Sequence, residues 1–315
     1  MKLLKICGSS WNNASRDKRE LSVYKEMGAE VFVLAKGKCR DYGRIEYVDG
    51  FKVFRYTTRP LGKYVPALIN RIISLFLWAH AAKKMNPDVI TGHDLMPGLT
   101  IAWMVTLFKR KKTKLIYDSH EFEMGRNVKR GIILKIAVKY WERFLMKKCA
   151  FSIMVNDSIA DEVKRIHRLK DRPVVIRNIP QYWDVNEEEC LLTRQLLLKM
   201  LKNKEDQSEL IDSAEDEKTF LVMYHGVLMA GRGIEMLIRV VAFNPNIKAV
   251  ILGDGNENYV GELKEIVKVN KVENRILFHP AVDIKELWKY IGAADLSLML
   301  ISGNAKSYYY LKLPT

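Results

Sequence analysis

No two of the four cysteines, Cys7, Cys39, Cys149 and Cys190, stand at the spacing of a metal site or a redox dithiol. A chain of 315 residues builds its core without disulfide staples, so these are expected to be reduced, mostly core thiols. The sequence also lacks GxGxxG and GxxxxGK[ST], which argues against a dinucleotide-binding dehydrogenase and a P-loop enzyme. It lacks an apolar run long enough to span a bilayer. The longest, 67–82, is interrupted by Arg71 and flanked by Lys63, Lys83 and Lys84. The opening apolar segment ends at Gly8, too early for a signal peptide. A cytoplasmic protein, soluble or peripheral at the inner face of the plasma membrane, is expected. Acidic residues are missing altogether between Asp49 and Asp88, a stretch with seven basic ones.

What the chain does have is charge, unevenly placed. It carries 52 Lys and Arg against 37 Asp and Glu, a net of +15. Residues 1–180 hold 36 of the basic and 17 of the acidic side chains, whereas 181–315 hold 16 and 20. A basic half joined to a mildly acidic half points to two modules with different partners. Hydrophobic residues at 48% and charged residues at 28% exclude a disordered or fibrous chain.

Apolar strand runs at 2–7, 30–35, 51–56, 87–91 and 114–117 alternate with helical stretches at 17–27, 63–85 and 98–108. A further strand is expected at 174–177. This alternation predicts a parallel sheet covered by helices on both faces. Residues 184–218 are rich in Glu, Leu and Lys and carry no strand signal. The alternation then resumes, with strands at 220–224, 248–252, 275–278 and 296–300 and helices at 234–243, 257–270 and 283–291. The fold class is α/β, with doubly wound domains at 1–180 and 219–315 and an acidic linker or insert at 181–218. The second domain stops soon after its fourth strand and is expected to be incomplete.

In an open α/β sheet, ligands bind just beyond the carboxyl ends of the strands. His93, in Gly92-His93-Asp94, and His120, in Asp118-Ser119-His120-Glu121, both follow strands and should share one crevice. An imidazole there can donate to a sugar hydroxyl or to a leaving phosphate oxygen. Neither has metal-ligand spacing to another ligand type, so no metal is indicated. In the second half, Tyr224-His225-Gly226-Val227 and Ala230-Gly231-Arg232-Gly233 precede an apolar helix. Backbone amides of a glycine loop and the helix N-terminus can meet a phosphate there, with Arg232 adding charge-assisted contacts. Gly253-Asp254-Gly255, at the end of the next strand, permits close approach of a flat ligand such as a base or ribose. A strand–helix turn and a tight turn are the plainer readings of the two glycine segments.

Residues 129–148 form a basic amphipathic helix. Ile132, Ile136, Tyr140 and Phe144 recur every four positions, with Ile133, Ala137, Trp141 and Leu145 beside them and Lys and Arg on the remainder. Its apolar face is expected to pack on the sheet, and its basic residues to favour an anionic leaflet by ~1 kcal/mol each. Nucleic-acid binding is not expected, since charge is its only support and no recognition motif is present.

The phrases Asp118-Ser119-His120-Glu121, Asn178-Ile179-Pro180, His225-Gly226-Val227, Arg232-Gly233-Ile234-Glu235, Gly253-Asp254-Gly255 and Ala293-Ala294-Asp295-Leu296 together resemble the GT-B glycosyltransferases of family 4, in order and spacing. The resemblance covers nearly the whole chain apart from 184–218. It implies two Rossmann-like domains, a nucleotide-sugar donor held mainly by the second and an acceptor, lipid-linked or glycan, held by the first. It implies transfer with retention at the anomeric carbon, without a metal or other cofactor, in bacterial surface glycan synthesis. By the same resemblance His93 acts near the donor sugar, His120 matches a crevice position and Arg232 contacts the donor diphosphate. Gly226 and Gly233 belong to that loop, Gly253, Asp254 and Gly255 lie against the nucleoside, and Lys306 begins the donor-pyrophosphate loop. Two departures stand out. Val227 occupies a position where many members have Arg. The chain ends at Leu313-Pro314-Thr315, where relatives continue into a helix carrying a ribose-binding glutamate, so a C-terminally truncated member is expected. Two other readings remain open: a non-catalytic membrane- or partner-binding module, and a GT-B sugar-nucleotide epimerase using Glu121 and Glu123 as acid and base.

Overall fold

The computed structural model describes residues 1–11, 14–38, 43–107, 113–125, 131–179, 182–202 and 219–298. They fall into two compact units, one within Met1–Ile179 and one within Pro180–Asn304. Lys306, Cys39, Lys129 and Arg130 lie outside the described residues.

The first unit runs β1 (Lys2–Cys7), α1 (Ser15–Glu26), β2 (Glu30–Lys36), β3 (Ile45–Val48), β4 (Phe51–Tyr56), α2 (Ala67–Lys84), β5 (Val89–His93), α3 (Thr100–Leu107), β6 (Lys114–Asp118), α4 (Ile132–Met146), β7 (Phe151–Met154), α5 (Asp157–His167) and β8 (Val174–Val175). Its sheet has the order β3-β4-β2-β1-β5-β6-β7-β8. Every pairing is parallel except β3 with β4, which is antiparallel at the edge. The chain leaves β1 on one side and returns to its other side at β5. That reversal is the switch point at which α/β sheets place ligands.

Side chains of a strand alternate between faces, and β1 uses both. Leu4 and Ile6 join Trp78 and Ala82 of α2 and Ile101 and Val105 of α3 on one face. Leu3 and Cys7 join Trp11, Val33 and Leu21 of α1 on the other. Lys5 shares that second face, fully buried. β3, β7 and α5 were not foreseen from the sequence. α5 starts where Asn156 accepts from the Ile159 amide at 2.8 Å and stops at Arg168, whose φ of 48° is left-handed.

The second unit runs α6 (Glu187–Lys202), β9 (Phe220–His225), α7 (Ile234–Phe243), β10 (Ile247–Leu252), α8 (Glu257–Val269), β11 (Ile276–His279), α9 (Leu287–Gly292) and β12 (Leu296–Ser297). Its sheet is parallel, in the order β11-β10-β9-β12. α7 and α8 pack on one face through Ile234, Ile238 and Leu263. α6 packs on the other through Leu197, Leu198 and Leu201, beside Met223 and Val250. The acidic segment expected as a linker or insert therefore contributes a core helix. Burial of three leucines, at about 1.5–3 kcal/mol each, is why it docks rather than tethers.

α4 also departs from expectation. Its inner side buries Glu142, Leu145 and Met146, with Trp141 partly covered. The apolar stripe expected to pack on the sheet faces out instead: Ile132 is 71% exposed, Ile133 81% and Tyr140 59%, with Ile136 and Phe144 also exposed. The inner side is fixed by a polar tie. Tyr117 Oη donates to Glu142 at 2.9 Å, and His167 Nε2 lies 3.0 Å from the same carboxylate, all three side chains being buried. Among the described residues no helix is long and apolar enough to cross a membrane.

Candidate active site

The carboxyl ends of β1, β5 and β6 and the start of α1 converge on a cluster of charged side chains in the first unit. Lys5 projects from β1 with its Nζ 2.6 Å from Asp118, 2.8 Å from Asp17 and 2.8 Å from Glu20. Asp17 and Glu20, one turn apart on α1, reach it from above the sheet. Arg16 Nη2 binds the second oxygen of Asp118 at 2.8 Å. A buried ammonium survives only with such partners. Burial pushes Lys5 toward losing its proton, but the charges of Asp118, Glu20 and Asp17 outweigh that and hold its pKa well above the ordinary value.

His93 and His120 stand over this base, as both strand ends suggested. Their ring centroids are 3.8 Å apart at an interplanar angle of 32°. His93 Nδ1 bonds Asp17 Oδ2 at 3.0 Å, and its Nε2 is 3.6 Å from Asp94. His120 Nε2 is 3.0 Å from Asp118 Oδ2 and 3.4 Å from Asp17 Oδ1. Burial alone would lower the His120 pKa, yet hydrogen bonds to Asp118 and Asp17 overcome it and raise it to about 9. His120 is thus an imidazolium at neutral pH. Burial opposes ionisation of Asp17 and Asp118 as well. For Asp17 it is outweighed by both histidines and Lys5, for Asp118 by Lys5, His120 and Arg16, and both carboxyls fall well below their usual range.

The turn after β5 fixes the imidazoles. Asp94 adopts a left-handed φ of 59°, and its carboxylate accepts the His120 amide at 3.1 Å. Such a backbone is costly for a non-glycine residue and collects at functional sites. A Cβ on Gly98 would lie 2.2 Å from the His93 carbonyl oxygen, so only glycine lets the turn close over β5. Sequence reading found the two histidines and missed Lys5, Asp17 and Asp94 as their supports. The available signal was a lysine in the middle of an otherwise apolar strand. Donor atoms of Asp17, Asp118 and His120, and of Cys7, Asp17 and His93, lie within 4.8 Å of one another, a spacing that suits a cation. Lys5 Nζ already sits among the carboxylates of the first group.

The second unit has a different kind of site. Gly226 follows β9, and Gly253-Asp254-Gly255 follows β10. The two loops are clasped by Gly226 N to Leu252 O at 3.0 Å and Leu228 N to Asp254 O at 2.9 Å. A Cβ at Gly253, whose φ is 149°, would fall 1.9 Å from the Gly226 carbonyl oxygen. The loop-to-loop contact accounts for that glycine without a ligand. Asp254 Oδ1 accepts from the Ala281 amide at 3.3 Å, fixing the turn to the residues after β11. Gly233, with φ 71°, caps α7, and Arg232 beside it forms no ion pair or hydrogen bond among the described residues. Beside the clasp lies a cavity of about 380 Å3, walled by Leu228, Gly253 to Gly255, Glu257, Lys264 and His279, among others. Gly226, Gly253, Asp254 and Gly255 are thus neighbours at two adjoining strand ends, while Arg232 and Gly233 stand at the start of α7.

The family model of Glycosyltransferase Family 4 matches residues 22–179, half of the chain, including both histidines. The chain belongs to glycosyltransferase family 4. It is a glycosyltransferase of the GT-B type, as the ordered phrases implied. No curated protein matches its sequence. Among solved structures, this family 4 chain is similar to HepE from Anabaena in complex with UDP and glucose (TM-score 0.63, 15% identity, 95% of this chain and 74% of that one). It is similar to sucrose-phosphate synthase from Thermosynechococcus elongatus (TM-score 0.63, 14% identity, 95% and 75%). A putative UDP-N-acetylglucosamine 2-epimerase from Listeria monocytogenes aligns less well (TM-score 0.54, 12% identity, 94% and 73%). At these identities the likeness is one of fold.

Proposed function

We propose that this glycosyltransferase moves a sugar, with retention at the anomeric carbon, from a nucleotide-sugar donor to a lipid-linked or polysaccharide acceptor in bacterial surface glycan synthesis. The second unit holds the donor and the first the acceptor. The observation that carries the donor reading is Arg232 at the N-terminal mouth of α7. It is a guanidinium without a carboxylate partner among the described residues, behind a glycine loop and close in sequence to the cavity-lining Leu228. Such a group binds a diphosphate and stabilises the charge that builds on it as the sugar leaves. HepE, which shares the fold, was crystallised with UDP and with UDP-glucose. His93 donates to the donor sugar, and Asp254 and its flanking glycines face the nucleoside. No resident metal is invoked, because Lys5 supplies the cation among the crevice carboxylates.

The acceptor reading rests on α4 and α2. Ile132, Ile133, Ile136 and Tyr140 present bare apolar surface edged by Lys135 and Lys139, and α2 exposes Leu68, Ile72 and Phe76 around Arg71. Apolar burial together with attraction to anionic headgroups places such helices at a membrane surface. We propose peripheral attachment at the cytoplasmic face, where a lipid-linked acceptor would be met. Family membership favours transfer over epimerisation.

The test is calorimetric titration of UDP-glucose, ADP-glucose and GDP-mannose into the wild type and into Arg232→Ala. One donor should bind the wild type, and Arg232→Ala should weaken it roughly 10–100-fold, the scale of a charge-assisted contact. Equal affinity in the variant would overturn the assignment of Arg232. Sugar release or transfer that needs an added acceptor separates transferase from epimerase.

A further inference from the structure

We propose that Asp17 is the positioning residue of the first-unit crevice, coupling His93 and His120 through its two carboxylate oxygens. Oδ2 takes His93 Nδ1 at 3.0 Å, while Oδ1 faces His120 Nε2 at 3.4 Å and Lys5 Nζ at 2.8 Å. One side chain on the first turn of α1 thereby touches both stacked imidazoles and the buried cation beneath them. With its carboxylate ionised, Asp17 can only accept, so His93 must carry its proton on Nδ1. That leaves His93 Nε2 as the nitrogen whose protonation can change during a reaction. His120 differs, since Asp118 and Asp17 both face its Nε2 and favour its charged form. Two rings of the same chemistry meet one carboxylate asymmetrically, His93 through Nδ1 and Oδ2 and His120 through Nε2 and Oδ1.

The charged groups around Asp17 do not all act alike, the like charges of Glu20 and Asp118 opposing its anion. From β1, Lys5 favours its anion, while Cys7 is held neutral by burial and by Asp17 itself. From α1, Glu20 is raised by burial and engages Lys5, and Arg16 engages Asp118. From the turn after β5, Asp94 reaches His93 only at 3.6 Å. From β6, Asp118 engages His120 but forms no contact with His93 within bonding distance among the described residues. Asp17 faces both rings at 3.0 and 3.4 Å. This deepens the transferase reading, because a defined His93 tautomer is what a donor to a sugar hydroxyl or phosphate oxygen requires.

The experiment is nitrogen-15 NMR of the imidazoles in the full chain, in the wild type and in Asp17→Asn, with no donor present. The wild type should show His93 protonated at Nδ1 at neutral pH and His120 titrating near 9. Asp17→Asn should release His93 into a mixture of tautomers and lower the His120 titration point, and Asp17→Glu should restore part of both. A wild-type His93 without a proton on Nδ1, or unchanged signals in Asp17→Asn, would overturn the proposal. The wild-type spectrum decides even if the variant does not fold. Turnover of whichever donor binds is followed in parallel, with kcat expected to fall roughly tenfold or more in Asp17→Asn and KM to hold. A wild type without turnover would strike the transferase reading and leave the imidazole result standing.

Discussion

The two units reach their sites by opposite means. In the first, charged side chains are driven under the switch point of the sheet, where each carboxylate answers a cation or an imidazole. In the second, backbone does the work. Two glycine loops close on each other, and Arg232, at the mouth of α7, forms no ion pair among the described residues. A site of interlocked side chains is rigid and sensitive to the loss of any member. A site of clasped backbone loops is sensitive to the gain of a Cβ. The first suits holding protonation states, the second holding two loops in a fixed register.

That contrast can be broken at Lys5. Lys5→Met removes the ammonium and leaves Asp17, Glu20 and Asp118 facing one another without their shared cation, and should destabilise the first unit by about 3–5 kcal/mol. A fall in urea midpoint with fluorescence as the probe checks this, and an unchanged midpoint would mean the cluster contributes no stability. Next comes Gly253→Ala. The required φ of 149° and a Cβ 1.9 Å from the Gly226 oxygen should cost roughly 1–3 kcal/mol and open the clasp. Binding of the donor and thermal melting should both suffer; unaltered melting would show that the loops part easily.

A smaller effect is a pH dependence centred on His120. Its folded value, about 9, exceeds the ordinary 6.5, so its stabilisation is complete below about 6.5 and is lost as pH rises through 9. His120→Gln should therefore flatten the decline in Tm between those values, and parallel curves for wild type and variant would argue against it. Smallest of all on stability is the outer face of α4. Ile133→Ser with Tyr140→Ser should shift unfolding by less than about 0.5 kcal/mol per site while lowering sedimentation with phosphatidylglycerol vesicles several-fold. Undiminished sedimentation, or none by the wild type, would remove α4 from the membrane reading.

Most strands and helices were legible because burial imposes a period, and β1, β5, β9 and β10 are apolar runs ended by glycine or polar residues. β3 was not, since Ile45–Val48 is a half-exposed edge with little apolar contrast. α6 was hidden by its acidic N-terminal turn, which conceals the leucines beyond. His93 and His120 could be placed by their position after strands. Of their supports only Lys5 carried a signal, a charge inside an apolar strand, and its pairing with Asp118 is visible only once the sheet brings them together across 113 positions. The orientation of α4 failed for a related reason. Its stripe of Ile and Tyr reads as a core face, and the polar tie from Glu142 to Tyr117 and His167 that turns it outward has no local signature.

The burial of Lys5 also bears on how β1 finds its place. Parallel strands of similar apolar sequence are prone to pair one residue out of step, a slip that exchanges the two faces. For β1 that slip would thrust an ammonium among Leu34, Ile90 and Trp78, with no carboxylate at hand. Misalignment of the central strand would therefore cost several kcal/mol, while the correct alignment alone lets the ion find its three partners. A residue that looks like a flaw in a hydrophobic strand serves as its alignment mark.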